Sequence, residues 1–184
     1  MRLILLGAPG AGKGTQAAAL AQHFAVPHIS SGALLRSHVA ARTELGREVA
    51  AYLDRGELVP DDLVTGVVAD AVAAAGPGYV LEGYPRTVSQ ARRADLLGAG
   101  VFVDAAVSLD LPDDVARQRL TERDAWRSDD RDPEVIERRL RRFHADTEPV
   151  ADYYRDRGLL VIVDASQPTD AVTTDILAAL AAIH

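Results

Sequence analysis

Short apolar runs alternate along this chain with longer stretches of mixed polarity, a pattern that predicts strands separated by helices. Residues 3–6 are wholly apolar and end at a glycine, as a buried strand does. A Gly-rich turn follows, then an Ala-rich helix over about 13–24. Residues 26–29 predict a second strand, with Ser30 and Ser31 behind it as helix caps. Two helices fill 32–55, with a break expected near Leu45 and Gly46. Pro60, Asp61 and Asp62 open another helix, because proline suits a first helical turn and carboxylates suit its dipole. Gly76, Pro77 and Gly78 end it.

Residues 79–81 predict a third strand, Gly83-Tyr84-Pro85 a turn and 88–97 a helix. Residues 105–109 predict a fourth strand, and Pro112-Asp113-Asp114 opens an Arg-bearing helix. A polar stretch over 128–133 interrupts, and a second Arg-bearing helix begins near Glu134. A fifth strand at 159–163 and a closing helix at 169–183 complete the pattern. The expected fold is therefore α/β, a five-stranded parallel sheet flanked by helices. In such sheets ligands sit at the carboxyl ends of the strands. The chain shows no internal repeat or flexible linker, and its 184 residues suit one domain. The polar segment 124–133 is the candidate mobile insert.

Composition narrows the picture. Apolar residues make up 48% and aromatic residues 5%, enough for a core of Ala, Val and Leu and too much for a disordered chain. No apolar run approaches the ~18 residues of a membrane span, and no secretory signal is evident at the start, so a cytoplasmic protein is expected. With no Cys, neither a disulfide framework nor a thiolate zinc site is expected. The net charge of -7 argues against a nucleic-acid partner. Charge is unevenly spread, however. Residues 117–142 hold nine Arg and seven acids, a local +2, which points to a compact anion held there. Of the 20 basic residues 19 are Arg, and the single lysine is Lys13.

That lysine lies in Gly7-Ala8-Pro9-Gly10-Ala11-Gly12-Lys13-Gly14-Thr15, between the first strand and the first helix. Glycines let successive backbone N–H groups turn toward a phosphate, the helix terminus adds its positive end, and Lys13 adds a mobile charge. The match to the phosphate-loop pattern G-x-x-x-x-G-K-[ST] is close, with Gly14 at the Ser/Thr position and Thr15 one place later. The chain has no Asn, so an N-K-x-D guanine-reading motif is absent and a switch GTPase is disfavoured.

The Gly-Lys-Gly-Thr ending resembles nucleoside monophosphate kinases, most closely the adenylate kinase family, and the likeness covers nearly the whole chain. Ser30-Ser31-Gly32-Ala33-Leu34-Leu35-Arg36 is similar to the family's acceptor-nucleotide segment. The stretch 56–64, GELVPDDLV, resembles the segment over the acceptor base. Leu81-Glu82-Gly83-Tyr84-Pro85-Arg86-Thr87, with Gln90 after it, resembles the family's best signature. Arg119 to Arg123, then Arg127 and Arg138-Arg139-Leu140, resemble the region around its lid.

The resemblance implies a phosphate-loop nucleotide-binding fold with core segments 1–29, 60–122 and 134–184, an AMP-binding insert at 30–59 and a short lid at 123–133. It implies transfer of the γ-phosphoryl of Mg-ATP to AMP, giving two ADP reversibly, by a monomer. ATP would meet Gly10, Ala11, Gly12, Lys13, Gly14, Thr15, Arg119, Arg127 and Gln167. AMP would meet Ser31, Arg36, Glu57, Val59, Gly83, Arg86, Gln90 and Arg139. Lys13, Arg86, Arg123, Arg127 and Arg139 would serve the transferring phosphoryl. Such transfer needs alignment and charge compensation more than covalent help, and planar guanidinium forks suit phosphate oxygens. Arg119 would stack on the donor adenine. Arg119, Arg123 and Arg127 have i, i+4, i+8 spacing and share a face if their helix runs that far. A Gln amide can read adenine through two hydrogen bonds, which is the role implied for Gln90.

Arg117, Arg131, Arg138, Arg141 and Arg142 read instead as a solvated helix face, and His28 as structural. No catalytic base is evident, and a phosphate acceptor, already anionic, needs none. Glu82 stands where the family has Asp, and Ala33 where an acid is common. Magnesium is therefore expected to be held mainly by ATP and water, with Thr15 and Glu82 near it and no zinc. A UMP/CMP kinase, sharing the short lid, and a non-catalytic nucleotide-binding regulatory module stay open as alternatives.

Overall fold

Alternate residues of the first strand separate into two cores. In the computed structural model, which describes residues 1–55, 57–96, 103–122 and 132–183, β1 (Arg2–Gly7) occupies the middle of the sheet. Its side chains Leu3 and Leu5 point into one apolar cluster, and Ile4 and Leu6 into another on the opposite face. A strand buried on both faces must read as a continuous apolar run, which is the signal in the sequence.

Four parallel strands flank β1: β2 (His28–Ser30), β3 (Tyr79–Glu82), β4 (Ala105–Asp110) and β5 (Leu160–Asp164). The order across the sheet is β2-β3-β1-β4-β5. Leu3 pairs with Val80 on one side and with Ala105 on the other. Helices α1 (Lys13–Phe24), α6 (Asp113–Glu122), α7 (Pro133–Arg142) and α9 (Thr169–Ala181) contribute to the Leu3 and Leu5 cluster. The other face is covered by α2 (Ser31–Ala40), α3 (Glu44–Asp54), α4 (Asp61–Ala75), α5 (Val88–Leu96) and α8 (Glu148–Arg155). The α/β expectation with five parallel strands is met. Among the described residues no helix is long and apolar enough to cross a membrane.

The break between α2 and α3 falls at residues 41–43, ahead of the expected Leu45-Gly46. Thr43 makes it. Its hydroxyl accepts from Gly46 N at 3.0 Å and so caps α3. Gly46 lies inside α3 for a different reason: a Cβ there would fall 2.0 Å from His38 O. It is a packing glycine that lets the two helices touch. The second strand begins two residues later than expected, because Pro27 precedes it and has no N–H to donate.

The apolar pattern assigns nothing after the second Arg-bearing helix until the fifth strand, yet α8 stands there, joined to α7 by a π-helical turn over Phe143–Thr147. Glu148 N–H reaches back to Phe143 O, five residues away. Pro149 removes the donor that would otherwise have served Ala145. Within this turn His144 lies 2.9 Å from both Asp113 and Glu148. Hydrogen bonds to Glu148 and Asp113 raise its pKa above the ordinary 6.5. A raised histidine pKa contributes stability that is present in full below the unfolded value and is lost as pH rises through the folded one. The His144→Gln variant should therefore melt below the parent protein at pH 5.5 and approach it at pH 8.5. Equal melting differences at both pH values would show that the charged imidazole contributes nothing.

Candidate active site

The carboxyl ends of all five strands open on one rim, and the sequence places its polar motifs there. After β1 the chain turns through Gly10 and Gly12, whose φ values of 87° and 86° other residues rarely adopt, and enters α1 at Lys13. Ala8 and Ala11 are buried and anchor the loop. Lys13 Nζ donates to Gly7 O and Ala8 O, each at 2.8 Å, and so curls over the loop. The N-terminus of α1 faces the rim without a side-chain cap. That leaves backbone N–H groups and the positive helix end for an anion.

On the side expected to take the acceptor, β2 and β3 deliver Ser31 and Gly83 to the same spot. A Cβ on Gly83 would fall 2.6 Å from Ser31 Oγ and 3.3 Å from Arg86 Nη2. Arg86 Nε donates to Gly83 O at 2.8 Å, and Thr147 from the π-helical turn donates to Arg86 O at 2.9 Å. Arg36 folds back over Gly32 at the start of α2. Although part of Arg86 is open to solvent, burial of its guanidinium lowers its pKa. Glu82 opposes that shift, and Arg139 and Arg36 reinforce it. An arginine does not give up its proton near neutral pH, so the guanidinium keeps its charge. Arg86 thus has two guanidiniums, Arg139 and Arg36, and one carboxylate, Glu82, acting on it, a setting suited to a compact anion.

Gln90 is 2% exposed. Its Oε1 accepts from Arg86 N at 2.7 Å and its Nε2 donates to Asp61 Oδ1 at 2.8 Å. Val59 is buried. The Glu57 carboxylate is engaged by Arg55 at 2.9 Å and faces Arg142 at 3.9 Å, and its main-chain N–H donates to Tyr52 O at 2.8 Å.

On the side expected to take the donor, a cleft of about 440 Å³ lies between the Gly-rich loop, α6 and the β5–α9 turn, lined in part by Gly12, Thr15, Arg119 and Gln167. Arg119 donates to Ala165 O at 2.9 Å and Ser166 O at 3.2 Å, which ties α6 to that turn. Gln167 Nε2 donates to Asp175 at 2.9 Å. Arg123 and Arg127 lie outside the described residues, as do Arg131 and most of the expected lid at 123–133. The described part of the Arg119 helix ends at Glu122. Arg117 is paired with Glu137 and Asp113 on the surface.

Gly14 faces Glu82. A Cβ there would lie 3.6 Å from Glu82 Oε1, so the absent side chain keeps the space between carboxylate and loop open. Glu82 and the Thr15 hydroxyl are hard oxygen donors, the chemistry that suits magnesium held largely through water. No cluster of three metal-ligating residues occurs among the described residues. Spacing did not reveal that His28 Nε2 stands 3.5 Å from Glu82 Oε1. Strand register creates that proximity, with Ser30 of β2 opposite Glu82 of β3. Asp61 and Thr147 were also missed, since both act through contacts distant in sequence.

A Gly-rich loop after the central strand and a separate group of arginines beside it are the arrangement expected of a nucleotide phosphotransferase. The adenylate kinase family model matches residues 5–159. The chain is 45% identical over 183 residues to "Adenylate kinase 1" of a Nostoc species, covering 97% of this chain and 98% of that protein. It is 42% identical over 185 residues to an adenylate kinase of Methylobacterium nodulans, covering 94% and 92%. It is 37% identical over 215 aligned positions to one of Streptomyces griseus, covering 99% and 98%. The chain belongs to the adenylate kinase family.

Proposed function

We propose that this enzyme, which transfers the γ-phosphoryl of ATP to AMP and gives two ADP, divides its substrates across β1. ATP takes the loop of Gly10, Ala11, Gly12, Lys13, Gly14 and Thr15, with its base toward Arg119 and Gln167. AMP takes the side of β2 and β3, with its phosphate on Arg36, Arg86 and Arg139. Ser31, Gly83, Gln90, Val59 and the main chain of Glu57 surround the rest. The observation that carries this reading is the convergence of Ser31 and Arg86 on Gly83, with Arg36 folded over the adjoining Gly32.

In the reaction an AMP phosphate oxygen attacks the γ-phosphorus, and the bond to the β–γ bridging oxygen breaks. Charge spreads over the three equatorial oxygens. Lys13 follows the outer phosphates of ATP, and Arg86 and Arg139 hold the attacking phosphate in line. Both phosphates are anionic, so no side chain has to remove a proton. Magnesium, held through Thr15, Glu82 and waters, would neutralise phosphate charge. Arg123 and Arg127 are assigned to the donor phosphates, and 123–133 to a short lid, by motif alone. A monomer working in the cytoplasm completes the reading.

A coupled assay with ATP and each of AMP, UMP, CMP and GMP tests it. AMP should exceed the others in kcat/KM by at least about a hundredfold, the discrimination a site built to hydrogen-bond one base can reach. Comparable turnover of UMP or CMP would reverse the assignment of the acceptor site.

A further inference from the structure

Gln90 is held more completely than a residue that merely lines a pocket. Its backbone N–H donates to Thr87 Oγ1 at 3.1 Å, and its carbonyl accepts from the buried Tyr84 hydroxyl, also at 3.1 Å. Since Tyr84 spends its proton there, the Thr65 hydroxyl 3.1 Å away donates to Tyr84. The side chain is fixed as firmly. A backbone N–H can only donate, so the atom facing Arg86 N is the amide oxygen. A carboxylate can only accept, so the atom facing Asp61 is the amide nitrogen. A flipped amide would set N–H against N–H at Arg86 and oxygen against oxygen at Asp61. Buried groups left in that state are costly.

Fixing the amide fixes what it can read. Its nitrogen keeps one N–H after bonding Asp61, and its oxygen keeps one lone pair after accepting from Arg86. A 6-amino purine presents a donor at position 6 and an acceptor at N1. A 6-oxo purine presents the reverse, an acceptor at position 6 and a donor at N1. One amide orientation therefore suits one class of purine and rejects the other.

We infer that Asp61 is a positioning residue. Together with the Arg86 backbone N–H it holds the Gln90 amide in one orientation, and so helps the acceptor site select a 6-amino over a 6-oxo purine. This rests on the reading that Gln90 meets the acceptor base. Asp61 touches no substrate in this role and acts through Gln90. Its neighbour Asp62 is turned to Arg93 and takes no part.

The test compares kcat/KM for AMP and for inosine monophosphate in the full-length protein, in Asp61→Asn, in Gln90→Ala and in the double variant, with melting curves for each. Asp61→Asn keeps the size of the side chain and replaces a group that can only accept by one that can accept or donate. Asp61→Ser, which leaves an oxygen at the start of α4, is the second variant should the first fold poorly. The AMP-over-inosine ratio should fall about tenfold in the folded Asp61 variants, carried mainly by KM. Gln90→Ala should lose the ratio, and adding Asp61→Asn to it should change nothing further. If Gln90→Ala keeps the ratio, Gln90 does not read the base and the inference falls with that reading. If Gln90→Ala loses it while both Asp61 variants keep it, the base reading stands and the role of Asp61 is overturned. An equal loss for both nucleotides in the Asp61 variants marks a merely structural effect and also overturns it.

Discussion

Replacing Lys13 by Met is expected to lower kcat about a thousandfold, the loss typical when a preorganised charge on a transferring phosphoryl is removed. The two side chains are similar in length, so the substitution removes charge and leaves bulk. Lys13 donates to Gly7 O and Ala8 O on the loop it crosses. Both carbonyls belong to a turn that is also held by Ala11 N donating to Ala8 O at 3.1 Å. The loop should keep its path, and the melting temperature should stay near that of the parent. Stopped-flow or coupled measurement of ADP formation reads the effect, with thermal melting as the control on folding. A variant that turns over at a tenth of the parental rate or faster would remove Lys13 from the phosphoryl-transfer machinery.

The second large effect concerns stability. Gly46→Ala should destabilise the protein by about 3 kcal/mol and lower Tm by roughly 10 °C. The added methyl would stand 2.0 Å from His38 O and 2.8 Å from Val39 N. Both are backbone atoms at the end of α2, so no rotamer change relieves the overlap. Either α3 moves off α2, which disturbs the packing around the buried Val49, or the α2 C-terminus unwinds. Differential scanning calorimetry at pH 7 measures the change. An unchanged Tm would mean that the helices separate freely and that their contact contributes little.

The contrast between these two glycine-bearing segments explains what could be read in advance. The path from β1 through the loop to α1 was legible to the residue at both ends of the helix, because each step there depends on neighbours in sequence. Gly46 was misread as a break because its reason lies in another helix. Thr43, the true cap, announces itself only once α3 is known to start behind it. The π-helical turn and α8 escaped because Val150, Tyr153 and Tyr154, the buried residues of α8, are too few to set a period among their polar neighbours. In the candidate site, the motifs could be picked out one by one. Their partners could not. The Gln90–Asp61 contact spans 29 residues and the Thr147–Arg86 contact 61, and apolar patterning does not encode pairings between polar groups on separate elements.

The parallel order of the sheet also leaves an idle end. All five strands send their carboxyl termini to the rim of the candidate site, so the opposite rim carries the strand starts and, among the described residues, none of the proposed site residues. Arg2 is bound there to Asp104 through both its backbone N–H and its guanidinium. The pair depresses the Asp104 pKa through the Arg2 hydrogen bond and raises that of Arg2. An engineer can rebuild that end for heat tolerance, immobilisation or fusion to another protein without touching a group that meets a phosphate. The architecture thus separates the part of the molecule that endures from the part that reacts.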